Sequence, residues 1–187
     1  MNFLVSGLFN AWIIISSLMF LDPILPGTNQ TTEHMIISYH PIGEFHSDLT
    51  PQSGAPRQGI LQPDNEAAIE IYETYTKALR DLEKYEYIIV IYHLHLSREW
   101  NSDARPPGSK RSLGLFATRS PNRPNPIGIG VIKLNSIEGN TLHVSGIDAF
   151  NGTPVLDIKP WIPSIDCPSN KSNTDNERDL GIKNGGL

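Results

Sequence analysis

The sequence predicts a mainly β fold, a single small barrel-like domain with one or two short helices, and three observations predict it. Short apolar runs at residues 36–39, 87–96, 127–134, 141–147 and 155–158 have strand lengths, and Gly or Pro stands in nearly every gap between them. No internal repeat occurs, and no strand-helix-strand series of the length that a doubly wound parallel sheet requires. The chain has 187 residues, 39% hydrophobic and 19% charged, with 15 Gly and 15 Pro; this suits one core under many turns and excludes two full domains, global disorder and a long coiled coil.

Taken in order, residues 3–21 form an apolar run interrupted by Ser6, Asn10, Ser16 and Ser17. It is barely long enough to span a bilayer, and it lacks the basic flank of a signal peptide or anchor, the first Lys or Arg of the chain being Arg57. Residues 1–34 are read as an extension, either upstream of a true start at Met35 or an anchor or signal, so membrane association is expected through residues 3–21 or not at all. On export, Asn29, Asn151 and Asn170 would each open a glycosylation acceptor, and Asn151 lies in the best motif, which argues against export. The single Cys, Cys167, excludes an internal disulfide and any Cys-based zinc site, and a reduced, cytoplasmic setting is expected.

The working domain is placed at residues 35–167, opening on the strand-like residues 36–39. Residues 68–82 can be read as one helix from the spacing of Ile71, Tyr75, Leu79 and Leu82. The preferred reading splits them into a strand through Ile69 and Ile71 and a short helix from Tyr75 to Lys84, capped by Thr74. Residues 87–96 make the strongest strand, continuous and then alternating, as a central strand does where it leaves the core, so its end is expected to face a site. His93 and His95 share a face there, but no third ligand is suggested nearby and no metal is expected. Asp157 and Lys159 also share a face, which predicts an ion pair without a chemical step. Residues 168–187, with three bases, three acids, four Asn and three Gly, read as a disordered polar tail.

Net charge is −5, but the signs are segregated. Residues 64–86 hold seven acids against three bases, whereas residues 98–123 hold Arg98, Arg105, Lys110, Arg111, Arg119 and Arg123 against Glu99 and Asp103. The second stretch suits an anionic partner. No phosphate loop occurs, and Gly128-Ile129-Gly130 lacks the third glycine and the helix of a dinucleotide fingerprint. The unusual string is Gly114-Leu115-Phe116-Ala117-Thr118-Arg119-Ser120-Pro121-Asn122-Arg123-Pro124-Asn125-Pro126-Ile127-Gly128, whose three prolines stiffen an extended loop and preset the directions of Arg119, Arg123 and Asn125.

This string resembles the signature of the TsaA-like family of tRNA methyltransferases, and three further matches stand in the family's order. Tyr39-His40-Pro41-Ile42-Gly43 resembles its opening strand, Pro56-Arg57-Gln58-Gly59 its first ligand loop, and Asn151-Gly152-Thr153-Pro154-Val155-Leu156-Asp157-Ile158-Lys159-Pro160-Trp161-Ile162-Pro163 its closing motif. The resemblance covers residues 35–166 and implies a small β-barrel methyltransferase that takes S-adenosylmethionine (SAM) outside the Rossmann fold. It also implies a homodimer with the cofactor near the subunit interface. Carried over, the cofactor contacts would be Pro56, Arg57, Gln58, His95, Leu96, Arg119, Ile129, Asn151, Gly152, Thr153 and Pro154, with Arg57 or Arg119 holding the methionine carboxylate.

The implied acceptor is N6 of threonylcarbamoyladenosine at position 37, in the tRNA anticodon loop. Arg105, Lys110, Arg111, Arg123 and Asn125 are the candidate tRNA contacts, with Trp100 stacking or merely packing. No residue is singled out as the catalytic base. Asn151 stands where the family usually has Asp, which removes a charge beside the expected cofactor turn, and longer family members carry a C-terminal domain where this chain has its polar tail. Two rival readings follow: the same chemistry on another RNA or a small molecule, or a non-catalytic module that binds SAM or RNA.

Overall fold

Alternating burial builds the barrel. In a computed structural model describing residues 35–167, β1 (Gly43–Ser47), β2 (Glu66–Ile71), β3 (Tyr87–His93), β6 (Ile127–Glu138), β7 (Thr141–Ser145) and β8 (Pro154–Pro160) close into a ring in the order β1-β2-β7-β6-β3-β8. The pairs are antiparallel throughout. The short strands β4 (Asp103–Ala104) and β5 (Leu113–Gly114) make a separate ribbon between β3 and β6. The chain divides into two units, Met1–Ile37 and Ser38–Leu187, and the barrel belongs to the second. The expected extension at residues 1–34 and polar tail at residues 168–187 lie outside the described residues. Among the described residues no helix is long and apolar enough to cross a membrane.

Every second residue of β3 points inward: Ile88, Val90 and Tyr92 are buried, while Ile89, Ile91 and His93 are half-exposed on the outside. Phe45, Ile69, Ile71, Ile132, Leu134, Leu142, Val144 and Val155 meet them in the interior. Burying each of these side chains stabilises the fold by about 1.5–3 kcal/mol, and ring closure leaves no open edge for another strand.

That closure explains the first correction. Residues 36–39 form no strand, with Ile36 91% and Tyr39 67% exposed, and the opening strand is β1, just beyond the Tyr39–Gly43 motif. β1 is hard to see in sequence because Phe45 is its one large apolar residue. The split of residues 68–82 holds: β2 is followed by 3-10 turns at Glu73–Leu79 and Leu82–Lys84, broken by Asp81 in the left-handed region at φ 71. The expected α-helix capped by Thr74 is not formed, and the turn starts from Tyr72 without a side-chain cap. Its inward residues Thr76 and Leu79 are three positions apart, the period of a 3-10 turn. The one α-helical element among the described residues is α1 (Pro163–Asp166).

β3 is shorter than the run at residues 87–96. The His95 amide donates to the His93 carbonyl at 2.8 Å and Ser97 to Leu94 at 2.9 Å, so the chain turns and the two histidines do not share a strand face. Leu156 is the extra residue of a bulge in β8 opposite Ile91 and Tyr92, and such bulges re-aim side chains beside sites. Lys159 and Asp157 do pair, at 2.7 Å; being half-exposed, the pair adds little to stability.

Candidate functional site

At the end of β3 the interior alternation delivers a polar atom where the aliphatic core stops. Tyr92 lies directly across from Gly128 on β6, and a Cβ at position 128 would come within 2.2 Å of the Tyr92 ring. The missing side chain at Gly128 is therefore what lets the ring lie flat on β6, edge-on to Phe45 with centroids 5.7 Å apart. From there the Tyr92 hydroxyl donates to Asp148 Oδ1 at 2.7 Å. Asp148 follows β7 between the buried Ile147 and Ala149, and its carboxyl lies on the cavity lining at the barrel mouth. Burial pushes the Asp148 carboxyl up from its ordinary range, partly offset by hydrogen bonds from Tyr92 and the Gly59 amide and by the charge of Arg119. Burial and the neighbouring carboxylate push the Tyr92 hydroxyl up as well.

Around this pair opens a cavity of ≈ 500 Å³. One wall is the loop of Pro56, Arg57 and Gln58, ahead of the 3-10 turn Gly59–Leu61. Gly59 is pressed so closely on Gly146 that a Cβ there would stand 1.9 Å from its carbonyl oxygen. A second wall is the proline-rich loop, pinned by the buried Leu115 and Thr118. The Thr118 hydroxyl donates to the Leu115 carbonyl at 2.8 Å, and Arg123 Nη1 donates to the Thr118 carbonyl at 3.0 Å. Arg119 donates to the Gln58 side chain and so joins the two walls. Leu94, His95, Leu96, Ile129, Ala149, Phe150 and Thr153 are also on the lining. Burial first, then the charge of His93, holds the His95 imidazole below its ordinary range, and its Nδ1 is 3.4 Å from the Thr153 hydroxyl.

Of the expected cofactor residues, Pro56, Arg57, Gln58, His95, Leu96, Arg119, Ile129 and Thr153 are thus brought to one cavity, and Asn151, Gly152 and Pro154 are not on its lining. Those three secure the barrel seam. The Asn151 side chain accepts from the Ser47 amide at 3.1 Å, the Gly152 amide donates to Phe45 at 2.7 Å, and Pro154 pairs with Glu44. Gly152 sits at φ 74, where a left-handed turn favours glycine.

Of the expected tRNA contacts only Arg123 lines the cavity. It is half-buried and occupied in holding its own loop, with its guanidinium 5.6 Å from the Phe116 ring centroid. Arg105, Lys110 and Arg111 are exposed on the β4–β5 ribbon, which Arg57 joins to the cavity wall by donating to the Pro107 carbonyl at 2.8 Å; Asn125 is exposed on the proline-rich loop, off the cavity lining. Trp100 is 54% exposed. Tyr92 and Asp148 were not among the expected residues. Tyr92 reads as one more core residue of a strand, and Asp148 is a lone acid three residues before the recognised turn. Among the described residues no group of three or more His, Cys, Asp or Glu is arranged to hold a metal ion.

The residues fit SAM. The volume suits a nucleoside-sized ligand, the guanidiniums of Arg57 and Arg119 suit a carboxylate, and the aliphatic walls suit a thioether and a base.

Known proteins resemble this chain over the same region. It is 41% identical over 127 residues to an S-adenosyl-L-methionine-binding protein of Archaeoglobus fulgidus, covering 68% of this chain and 91% of that one. It is 36% identical over 159 residues to the tRNA (adenine(37)-N6)-methyltransferase of Homo sapiens, covering 80% of this chain and 34% of that one. The crystal structure of TrmO from Pseudomonas aeruginosa superimposes with a TM-score of 0.64 at 34% identity, over 74% of this chain and 62% of that chain. The chain therefore spans only part of the crystallised protein and about a third of the human enzyme. A family model for the tRNA-methyltransferase O N-terminal domain matches residues 44–167, and the chain belongs to that family.

Proposed function

We propose that this chain is a SAM-dependent methyltransferase that methylates N6 of threonylcarbamoyladenosine at position 37 of tRNA. The observation that carries this reading is a single cavity at the barrel mouth where Arg57, Arg119 and Asp148 face aliphatic walls, with a basic ribbon fastened alongside through Arg57. When bound, SAM supplies a methyl group already activated on a sulfonium. The chain's part is then to bind, align and exclude water: Arg57 or Arg119 takes the carboxylate, Leu94, Ile129 and Ala149 keep the transfer dry, and the Thr153 and His95 groups close the lining.

The anticodon loop meets Arg105, Lys110, Arg111 and Asn125 through its phosphates. Phe116, 78% exposed and braced on one face by Arg123, offers its other face to a splayed base. The working unit is a homodimer. Ile127, Ile129 and Val131 lie on the outside of β6, 44%, 55% and 44% exposed, beside Ile89 and Ile91 of β3. A second copy on this apolar face would cover it and complete the cavity wall at Ile127 and Ile129. The site of action is the cytoplasm, where tRNA and reduced thiols such as exposed Cys167 are found. The working domain is residues 35–167, and methyl transfer by a chain starting at Met35 would show residues 1–34 dispensable.

Incubation with SAM and tRNA carrying threonylcarbamoyladenosine, with unmodified tRNA as control, and nucleoside mass spectrometry tests the reading. The methylated nucleoside from the first tRNA alone is the expected result. SAM binding without that product moves the acceptor to another RNA or a small molecule, and SAM binding with no acceptor at all leaves a binding module. Ile129→Asp is expected to turn the dimer into a monomer by light scattering.

A further inference from the structure

Resting on the reading above, we infer that Asp148 is the catalytic base that takes the proton from the acceptor nitrogen, with Tyr92 and Gly59 as its positioning groups. Methyl transfer to an N–H nitrogen releases one proton, and the lining offers few groups able to take it. Arg57, Arg119 and Arg123 are cationic donors, and Tyr92 is a donor already committed to Asp148 at 2.7 Å. Asp148 and His95 remain. Asp148 stands on the cavity floor, fixed by the Tyr92 hydroxyl, the Gly59 amide and its own amide, while two carboxylate oxygens offer about four acceptor sites and so retain room for one more donor. His95 stands on the exposed rim.

Charge balance separates the two. As the acceptor nitrogen forms its bond to the methyl carbon, the carbon–sulfur bond breaks, its electron pair stays on sulfur, and the nitrogen's proton passes to an Asp148 oxygen. A sulfonium cation and a carboxylate anion are consumed together, leaving a thioether and a neutral acid. Transfer to His95 would instead leave an imidazolium on the exposed rim, where partial burial and the charge of His93 already disfavour the protonated form. The charged and titratable groups facing Asp148 are Tyr92 from β3 and Arg119 from the proline-rich loop, with the Gly59 amide from the Pro56–Gly59 loop. Burial outweighs them and makes Asp148 a stronger base than an ordinary aspartate.

The test compares wild type, Asp148→Asn, Tyr92→Phe and His95→Gln in the full chain. It measures single-turnover methyl transfer across pH, SAM affinity by calorimetry, and the Asp148 carboxyl carbon resonance in the ligand-free protein. Asp148→Asn is expected to slow transfer by about 100-fold or more at saturating ligands while SAM affinity changes less than about threefold. The Tyr92 bond holds the carboxyl down, so Tyr92→Phe is expected to move both the rising limb of the rate profile and the carboxyl titration to higher pH. A merely structural Asp148 shows the titration shift but leaves the rate limb unmoved. Asp148→Asn at a rate within about threefold of wild type, a limb unmoved in Tyr92→Phe, or a limb abolished by His95→Gln alone would overturn the inference. If Asp148→Asn fails to fold, the Tyr92→Phe profile and titration decide it. A wild-type chain that binds SAM but methylates neither tRNA overturns the reading of function itself, and this inference with it.

Discussion

A methyl group added at Gly128 should unseat the Tyr92 ring. The nearest ring atoms would stand 2.2, 2.7 and 2.7 Å from the new Cβ, well inside contact distance. The ring cannot simply tilt away, because Phe45 meets it edge-on at 5.7 Å and its hydroxyl is tied to Asp148. Overpacking of this kind costs about 1–3 kcal/mol, and a hydrogen bond to a charged group about 1.5–3 kcal/mol if it is lost. Because moving the ring relieves the clash at the expense of the bond, the two costs are alternatives in part, and Gly128→Ala should lose about 3 kcal/mol. For a barrel of this size that lowers Tm by roughly 10 °C, read by circular dichroism and by urea titration. Gly130→Ala is the control on the same strand, its nearest contact being an ordinary 3.4 Å to Ile132, and it should stay within about 1 kcal/mol. In a Tyr92→Leu background the Gly128→Ala cost should shrink by more than about 1 kcal/mol. A Gly128→Ala chain within about 0.5 kcal/mol of wild type, or strict additivity in the double variant, would refute the close packing of ring on strand.

Other substitutions separate backbone, electrostatic and loop contributions. At Gly152 nothing would obstruct a Cβ, so Gly152→Ala should cost only the strain of φ 74, about 1–2 kcal/mol in urea titration. The fold favours neutral His95, whose folded pKa lies below the ordinary 6.5. Its stabilising contribution is therefore present above 6.5 and lost as pH falls below it toward the folded pKa. The imidazole proton resonance should titrate below 6.5, and His95→Gln should remove that part of the acid-side loss of stability. Arg123→Ala removes the bonds to the Thr118 and Ser120 carbonyls that hold the cavity loop, and should weaken SAM binding by about tenfold in calorimetry.

Where the chemistry is local, the residues announced themselves. The three prolines stiffen a loop whose arginines reach a cavity, one as its lining and one as its brace, and the Pro56–Gln58 loop stands on the facing wall. The long β3 run and the break after Ile71 were readable because strand alternation is a property of neighbours along the chain. β1 was not, since a strand with one large apolar residue is made by the two strands that flank it. Nor was the role of Asn151, Gly152 and Pro154, which stand in a recognised motif yet close the seam between β1 and β8.

Residue order by itself thus determined the class of fold, the barrel's main strands and the loops that carry the arginines, because periodicity and proline geometry act within a few residues. Only the tertiary structure decided that Tyr92, Gly128, Asp148 and Gly59 form one cluster at the mouth. Their meeting depends on ring closure across β3, β6 and β7, and on a burial that changes how readily a carboxyl gives up its proton, neither of which any short stretch of sequence contains.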